Sequence, residues 1–177
     1  GAADMTAGAD GSVLIGYAAG ADLTTGAYNL SVGYLAGTAL TTGDGNITIG
    51  YQAGKALTLG SSNTVIGTNA LVACVGDDAS NAGRYNVCVG RDTMGAANND
   101  GHANCEIDGN VAIGNGALYS GTLAGDKDLL GNIAIGAEAM DATATNAQTG
   151  TIAIGYQSLT ALTTGAGNVA VLSLIHI

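Results

Sequence analysis

The sequence contains no proline, tryptophan or phenylalanine, and only 4 of its 177 residues are lysine or arginine. Because the first three residue types are absent and 30 residues are glycine, a conventional packed globule is not expected. The hydrophobic fraction is nevertheless 47%, and because Ala, Val, Ile and Leu supply most of it, intrinsic disorder is not expected either. The composition favours thin, repetitive layers of small aliphatic side chains.

Acidic residues outnumber basic ones by 14 to 4, which gives a net charge of −10. This charge repels the phosphate backbone, so we expect no nucleic-acid partner. No apolar run approaches the roughly 20 residues of a membrane span, and we expect no membrane insertion. The chain opens with Gly-Ala-Ala-Asp, without an initiator Met or a signal-like stretch, and we interpret it as a processed product or a fragment.

A pentapeptide of the form Asn-x-x-Ile/Val-Gly recurs nine times, first at intervals of 17 residues and then at 23, 24, 22, 19 and 17. Self-similarity at a short period that tolerates insertions indicates a solenoid. We predict an all-β parallel β-roll, or β-solenoid, of about nine short coils in one domain over 1–171. Its coils are regular over 12–70, carry inserts over 71–150 and are regular again over 151–171. The copies start at Ser12, Asn29, Asn46, Asn63, Asn86, Asn110, Asn132, Thr151 and Asn168.

Side chains within each pentapeptide alternate between two faces of a short strand. We predict that the aliphatic pair, such as Ile47 and Ile49, faces the interior. The residue between them is mostly small and never charged, so we expect it to meet another surface. A second apolar stack is predicted from Leu23, Leu40, Leu57, Cys74 and Leu162.

Two structural roles follow from the first and last positions of the pentapeptide. The Asn side chains are predicted to form a stacked ladder, each amide bonding the amide one coil along. The Gly is predicted to form a corner that requires positive φ. The ladder comprises Asn29, Asn46, Asn63, Asn86, Asn110, Asn132 and Asn168, and the corners are Gly16, Gly33, Gly50, Gly67, Gly90, Gly114, Gly136 and Gly155.

The string Asn-x-x-Ile-Gly-Tyr-Gln-Ala-Gly/Leu followed by Thr-Thr-Gly resembles the head repeats of trimeric autotransporter adhesins and is similar to repeats in phage tail fibres. The best matches are 50–53 and 155–158, and the resemblance covers about 11–171. It implies a left-handed parallel β-roll, with three chains packed side by side around an axis. It also implies that the middle residues Ser31, Thr48, Ala112, Ala134 and Ala153 face the partner chains.

The ninth copy departs from the pattern at Leu172, where Gly is expected. Residues 172–177 match the in-frame translation of a transposon-end adapter used in sequencing libraries. We hypothesise that this tail is non-native and that the repeat continues beyond residue 171. The alternative is a terminal strand that caps the roll.

The three cysteines are Cys74, Cys88 and Cys105. Cys88 occupies a middle position of a strand and is expected to be a buried thiol or an interchain contact. A disulfide between Cys74 and Cys105, one coil apart, is compatible with a secreted rod. The alternative is three reduced cysteines.

The insert at 98–109 gathers residues of metal-ligand type, including His102, but their spacing matches no zinc or EF-hand pattern. Neither His102 nor His176 has a Ser or Cys partner at a recognisable motif, and no Gly-rich phosphate loop opens a helix. We therefore predict no metal, no cofactor, no catalytic residue and no enzymatic activity.

The sequence predicts a structural or adhesive subunit of an extracellular fibre or filament at a cell or virion surface. The partner is the chain itself, as a homotrimer or as an end-to-end filament, because open coil ends are templates for pairing. The alternative is a head that binds a host receptor or glycan through the inserts between Ala70 and Asn110. Four tyrosines form a partial stripe that could stack on sugar rings or cover an edge of the roll, namely Tyr17, Tyr34, Tyr51 and Tyr156. A minor alternative is ice binding, which is suggested by the Thr pairs at 24–25, 41–42 and 163–164.

Overall fold

A computed structural model of the chain describes residues 9–74, 83–97, 106–119, 128–141, 148–162 and 165–172. Every regular element in these ranges is a β-strand, and every strand pair in them is parallel. The all-β parallel solenoid predicted from the repeat is confirmed. Its left-handed winding and its assembly into trimers or filaments stay predictions.

The main sheet contains nine strands of three residues, one from each pentapeptide. They stack in the order β1-β2-β3-β4-β5-β7-β9-β11-β12, with equivalent residues opposite each other in every pair. The strands are β1 (Val13–Ile15), β2 (Leu30–Val32), β3 (Ile47–Ile49), β4 (Thr64–Ile66), β5 (Val87–Val89), β7 (Val111–Ile113), β9 (Ile133–Ile135), β11 (Ile152–Ile154) and β12 (Val169–Val171). Each strand is one rung of the solenoid.

A second, smaller sheet runs through three of the coils that carry inserts. It consists of β6 (Ile107–Asp108), β8 (Leu129–Leu130) and β10 (Gln148–Thr149), in the order β10-β8-β6. Ile107, Leu129 and Gln148 point inward and are at most 1% exposed. The regular coils have Gly43 or Gly60 at the equivalent place, where a glycine lets two coil backbones approach closely.

Corner glycines end the first eight main strands with φ between 125° and 137°, and β12 is followed by Leu172 instead. This backbone region favours glycine, and the space is closed as well, since a Cβ built on Gly90 would lie 2.5 Å from the carbonyl oxygen of Gly114. Two residues further on the backbone is left-handed again, even at Gln52 and Glu138. Because a non-glycine residue there costs about 1–2 kcal/mol, stacking against neighbouring coils must compensate.

The predicted orientation of the main strands was wrong. The middle residues point into the coil of their own chain, and those predicted to face partner chains are all at most 1% exposed, namely Ser31, Thr48, Ala112, Ala134 and Ala153. The aliphatic pair points outward instead, so Ile47 is 36% and Ile113 is 37% exposed. The middle residue of each strand is therefore interior and the aliphatic pair exterior, the reverse of the prediction.

The middle residues are small because a second side chain shares their space. The turn residue six positions later points at the same part of the interior. In the third coil that residue is Gly54, and a Cβ there would lie 2.8 Å from Cγ2 of Thr48. In the sixth rung it is Leu118, which is fully buried, and the strand residue is only Ala112. In these two coils a larger and a smaller residue fill the layer, which keeps the interior densely packed. The fourth coil differs, because Val65 and Leu71 are both fully buried there.

The predicted second apolar stack lies on the opposite side of this interior. Leu23, Leu40, Leu57 and Cys74 are all 0% exposed and belong to one continuous hydrophobic cluster. Leu162 is only half-buried. The core is therefore a narrow column along the solenoid axis.

Candidate functional site

The outer face of the main sheet is an extended apolar surface. It consists of the first and third residues of all nine strands, and we call it the aliphatic face. Seventeen of its eighteen side chains are Val, Ile or Leu, and the other is Thr64. The face comprises Val13, Ile15, Leu30, Val32, Ile47, Ile49, Thr64, Ile66, Val87, Val89, Val111, Ile113, Ile133, Ile135, Ile152, Ile154, Val169 and Val171.

Within the described ranges, side chains of neighbouring rungs partly shield one another on the aliphatic face. Side chains in middle rungs are half-buried or just exposed, whereas Ile15 in the first strand is 58% and Val169 in the last strand 68% exposed. With about 4.8 Å between rungs, nine rungs extend over roughly 40 Å. Contiguous apolar surface of this kind marks an interaction site in a folded protein.

A tyrosine ladder lies just beyond the corner glycines of the first three rungs, and we define it as Tyr17, Tyr34 and Tyr51. The ring centroids of Tyr17 and Tyr34 are 5.2 Å apart at an interplanar angle of 13°. Those of Tyr34 and Tyr51 are 5.4 Å apart at 8°. The rings are 71%, 46% and 49% exposed, respectively. The fourth tyrosine predicted for this stripe, Tyr156, is 47% exposed but lies five rungs beyond Tyr51.

The asparagine ladder is continuous from Asn29 to Asn132. Nδ2 of Asn46 donates to Oδ1 of Asn29 at 3.1 Å and to the carbonyl oxygen of Gly60 at 2.8 Å. The same pair of bonds recurs in each following rung as far as Asn132. Each Oδ1 also accepts the backbone N–H of the next rung's residue. Buried amides are thus fully satisfied, and their role is structural.

The ladder ends at Thr151, and the prediction that Asn168 belongs to it was wrong. Thr151 has no amide with which to reach the next coil, and its buried Oγ1 has no hydrogen-bond partner. Asn168 instead donates to the carbonyl oxygen of Gly165 in its own coil, at 3.0 Å. At the other end, the Ser12 hydroxyl replaces the amide by accepting the N–H of Asn29 at 3.1 Å.

Acidic side chains in the described turns hold neighbouring coils together. Asp44 accepts the backbone N–H of Ala27 at 2.8 Å, and Asp108 accepts that of Arg84 at 2.6 Å. Glu138 accepts Nε2 of Gln157 at 2.6 Å. Partial burial, and secondly the neighbouring Glu138, raise the pKa of the Asp141 carboxyl. These contacts give Asp44, Asp108 and Glu138 a structural role between coils.

The cysteine predictions are tested only in part. Cys88 is fully buried, and its Sγ lies 3.3 Å from Sδ of Met94, so it is an interior residue and not an interchain contact. Burial, and secondly the neighbouring Cys74, raise the pKa of the Cys88 thiol far above its usual range. The proposed bridge between Cys74 and Cys105 lies outside the described residues, because these do not include Cys105.

Several other predicted candidates fall on undescribed positions. His102, His176 and most of the inserts between Ala70 and Asn110 lie outside the described ranges. Among the threonines, Thr41 donates its hydroxyl to the carbonyl oxygen of Thr58 at 3.2 Å, and this bond between coils does not favour ice binding. In the described part of the chain there is no helix long and apolar enough to cross a membrane, and no cluster of three or more metal-ligating side chains.

The comparisons with known proteins give no match: no family model, no curated protein and no solved structure is similar to this chain. The class is therefore defined by the fold alone, and it is a parallel β-solenoid with one aliphatic sheet face and a tyrosine ladder.

Proposed function

We propose that the chain is a structural subunit of an extracellular fibre or surface filament, and that its copies associate side by side through the aliphatic face. The observation that carries this proposal is the face itself, which presents seventeen aliphatic side chains on one surface without a charge. Each square ångström of apolar surface removed from water contributes about 25 cal/mol. Association is the direct way for a rod to cover such a face.

The periodicity of the face favours a second copy of the chain as the partner. Ranks of side chains repeat once per rung, about every 4.8 Å. A parallel second copy presents ranks of the same period, so its side chains can pack between the rungs over the whole length. A partner with an irregular surface would match only a rung or two.

Electrostatics agree with this arrangement. The net charge of −10 is carried by turns and inserts, and no charged residue lies within the nine strands of the main sheet. Charges therefore stay at the periphery when faces meet, where solvent and salt screen their repulsion. Three copies around an axis, as the resemblance to trimeric adhesin heads implies, would cover every aliphatic face.

Molar mass measured by light scattering tests the proposal. We expect the wild-type protein, at 17.1 kDa per chain, to have three times the chain mass. Ile113→Asp places a charge in the middle of the aliphatic face and should shift the protein to monomers, because burying an unpaired charge is costly. Thr42→Asp adds the same charge on an exposed turn and should leave the mass unchanged. A monomeric wild type at all concentrations, or equal masses for both variants, would reject lateral association.

A further inference from the structure

We infer that the tyrosine ladder binds a neutral, linear β-linked polysaccharide that lies along the solenoid axis with one sugar ring per tyrosine. The site is separate from the aliphatic face, so the inference does not depend on lateral association. It requires only that Tyr17, Tyr34 and Tyr51 remain accessible, and each is at least 46% exposed.

The stacking geometry leaves ring surface available. The centroids of neighbouring rings are 5.2 and 5.4 Å apart, whereas carbon atoms in contact are about 3.5–4.0 Å apart. Nearly parallel rings at such centroid distances are typical of an offset stack, in which each ring leaves part of one face uncovered. The apolar C–H face of a pyranose ring can pack on this exposed part.

The period of the ladder selects the kind of glycan. In an extended β-1,4-linked chain, the repeat distance between successive sugars is close to the separation between neighbouring tyrosine rings. Successive sugars can therefore meet successive tyrosines in register. A branched or strongly helical glycan would lose this register after one residue.

Polar groups at the ladder suit sugar hydroxyls. Nε2 of Gln52 donates to the hydroxyl oxygen of Tyr51 at 3.2 Å, which leaves the O–H of Tyr51 available as a donor. The net charge of −10 disfavours acidic polysaccharides, since like charges repel. A neutral glucan or N-acetylglucosamine polymer fits these conditions.

The ladder has a defined length. The residue that follows the corner glycine is Thr68 in the fourth rung and Arg91 in the fifth, so the stacked rings stop after three. We therefore expect a trisaccharide to be the shortest ligand that fills the site. A disaccharide should bind more weakly because it contacts only two rings.

Calorimetric titration with cello- and chito-oligosaccharides of two to six sugars tests the inference, and tyrosine fluorescence offers a second readout because the chain has no tryptophan. Tyr34→Ala removes the central ring and both stacks, and should weaken binding of the trisaccharide by about tenfold. Tyr34→Phe keeps the ring and should stay within about threefold of wild type. Tyr85→Ala removes a tyrosine that is 65% exposed but outside the ladder, and should change nothing.

A gain-of-binding variant guards against loss through misfolding. Thr68→Tyr places a fourth ring in the next rung and should strengthen binding of the tetrasaccharide relative to the trisaccharide. Absence of binding to both oligosaccharide series and to insoluble cellulose and chitin would overturn the inference, as would equal affinity for wild type and Tyr34→Ala. Light scattering on the same samples keeps the two proposals apart, because loss of self-association with retained glycan binding would reject only the proposed fibre function.

Discussion

The thiol sulfur of Cys88 lies 3.3 Å from the thioether sulfur of Met94, six residues further along the same coil. This contact is one instance of a pairing between the middle strand residue and the turn residue six positions later. In several described coils the sizes of the two residues are inverse. Where the turn residue is glycine, as at Gly54, the strand residue is larger, here Thr48. Where the turn residue is large, as at Leu118, the strand residue is Ala112.

Exchanging the large and the small residue of one coil, Leu118 and Ala112, should be tolerated when both positions change together. Leu118→Gly empties a buried site and should lower the free energy of unfolding by about 2–4 kcal/mol, because relief of the left-handed backbone at Leu118 only partly offsets the cavity. Adding Ala112→Leu recreates the Leu14 and Gly20 arrangement of the first coil. The double variant should recover at least half of the loss, measured by urea denaturation. Simple additivity of the two single changes would show that the pair does not share space.

Removing one amide from the middle of the asparagine ladder should be severely destabilising. The Asn86 side chain donates to Oδ1 of Asn63 at 3.1 Å and to the carbonyl oxygen of Ile107 at 2.7 Å, and its Oδ1 accepts two N–H groups of Asn110 at 3.0 Å. Asn86→Ala leaves several of these buried groups without partners and should cost about 3–5 kcal/mol. Asn115→Ala, on an exposed turn, is the matched control and should stay within about 0.5 kcal/mol. Similar urea midpoints for the two variants would contradict a structural ladder.

Extending the ladder past its end should stabilise the last two rungs. Thr151→Asn supplies an amide that can bond Oδ1 of Asn132 and reach Asn168, and should raise the free energy of unfolding by about 1–2 kcal/mol. Thr151→Val is the control, because it only removes the unpaired hydroxyl. Hydrogen exchange in β11 and β12 should slow more in the Asn variant than in the Val variant. Equal protection in both variants would mean that the missing amide does not limit the stability of the last two rungs.

The repeat was sufficient to predict the parallel solenoid, because the pentapeptides fix one strand and one corner in each coil. The positions of the corner glycines follow from the same pattern, since their φ of 125–137° favours glycine in each of the first eight coils. The prediction that Asn168 belongs to the ladder was wrong because the neighbouring rung has Thr151, which has no amide oxygen to accept from it, and Asn168 bonds Gly165 instead.

The orientation of the strands could not be predicted from alternation alone. Alternation defines two faces of a strand such as β3, but Ile47 and Ile49 are apolar and Thr48 is small and uncharged, so either face could be interior. The deciding signal lay outside the pentapeptide, in the inverse sizes of the residues at Thr48 and Gly54 and at Ala112 and Leu118. The stacking of Tyr17, Tyr34 and Tyr51 was likewise visible only as a stripe.

Whether the aliphatic face of one copy meets the same face of another is tested most directly by cysteine cross-linking. In a Cys105→Ser background, Ile113→Cys places a thiol on the face, and Thr42→Cys places one on an exposed turn. Under mild oxidation we expect covalent dimers for Ile113→Cys and monomers for Thr42→Cys. Monomers for Ile113→Cys, with its thiol open to labelling reagents, would show that the face stays exposed and would contradict lateral association.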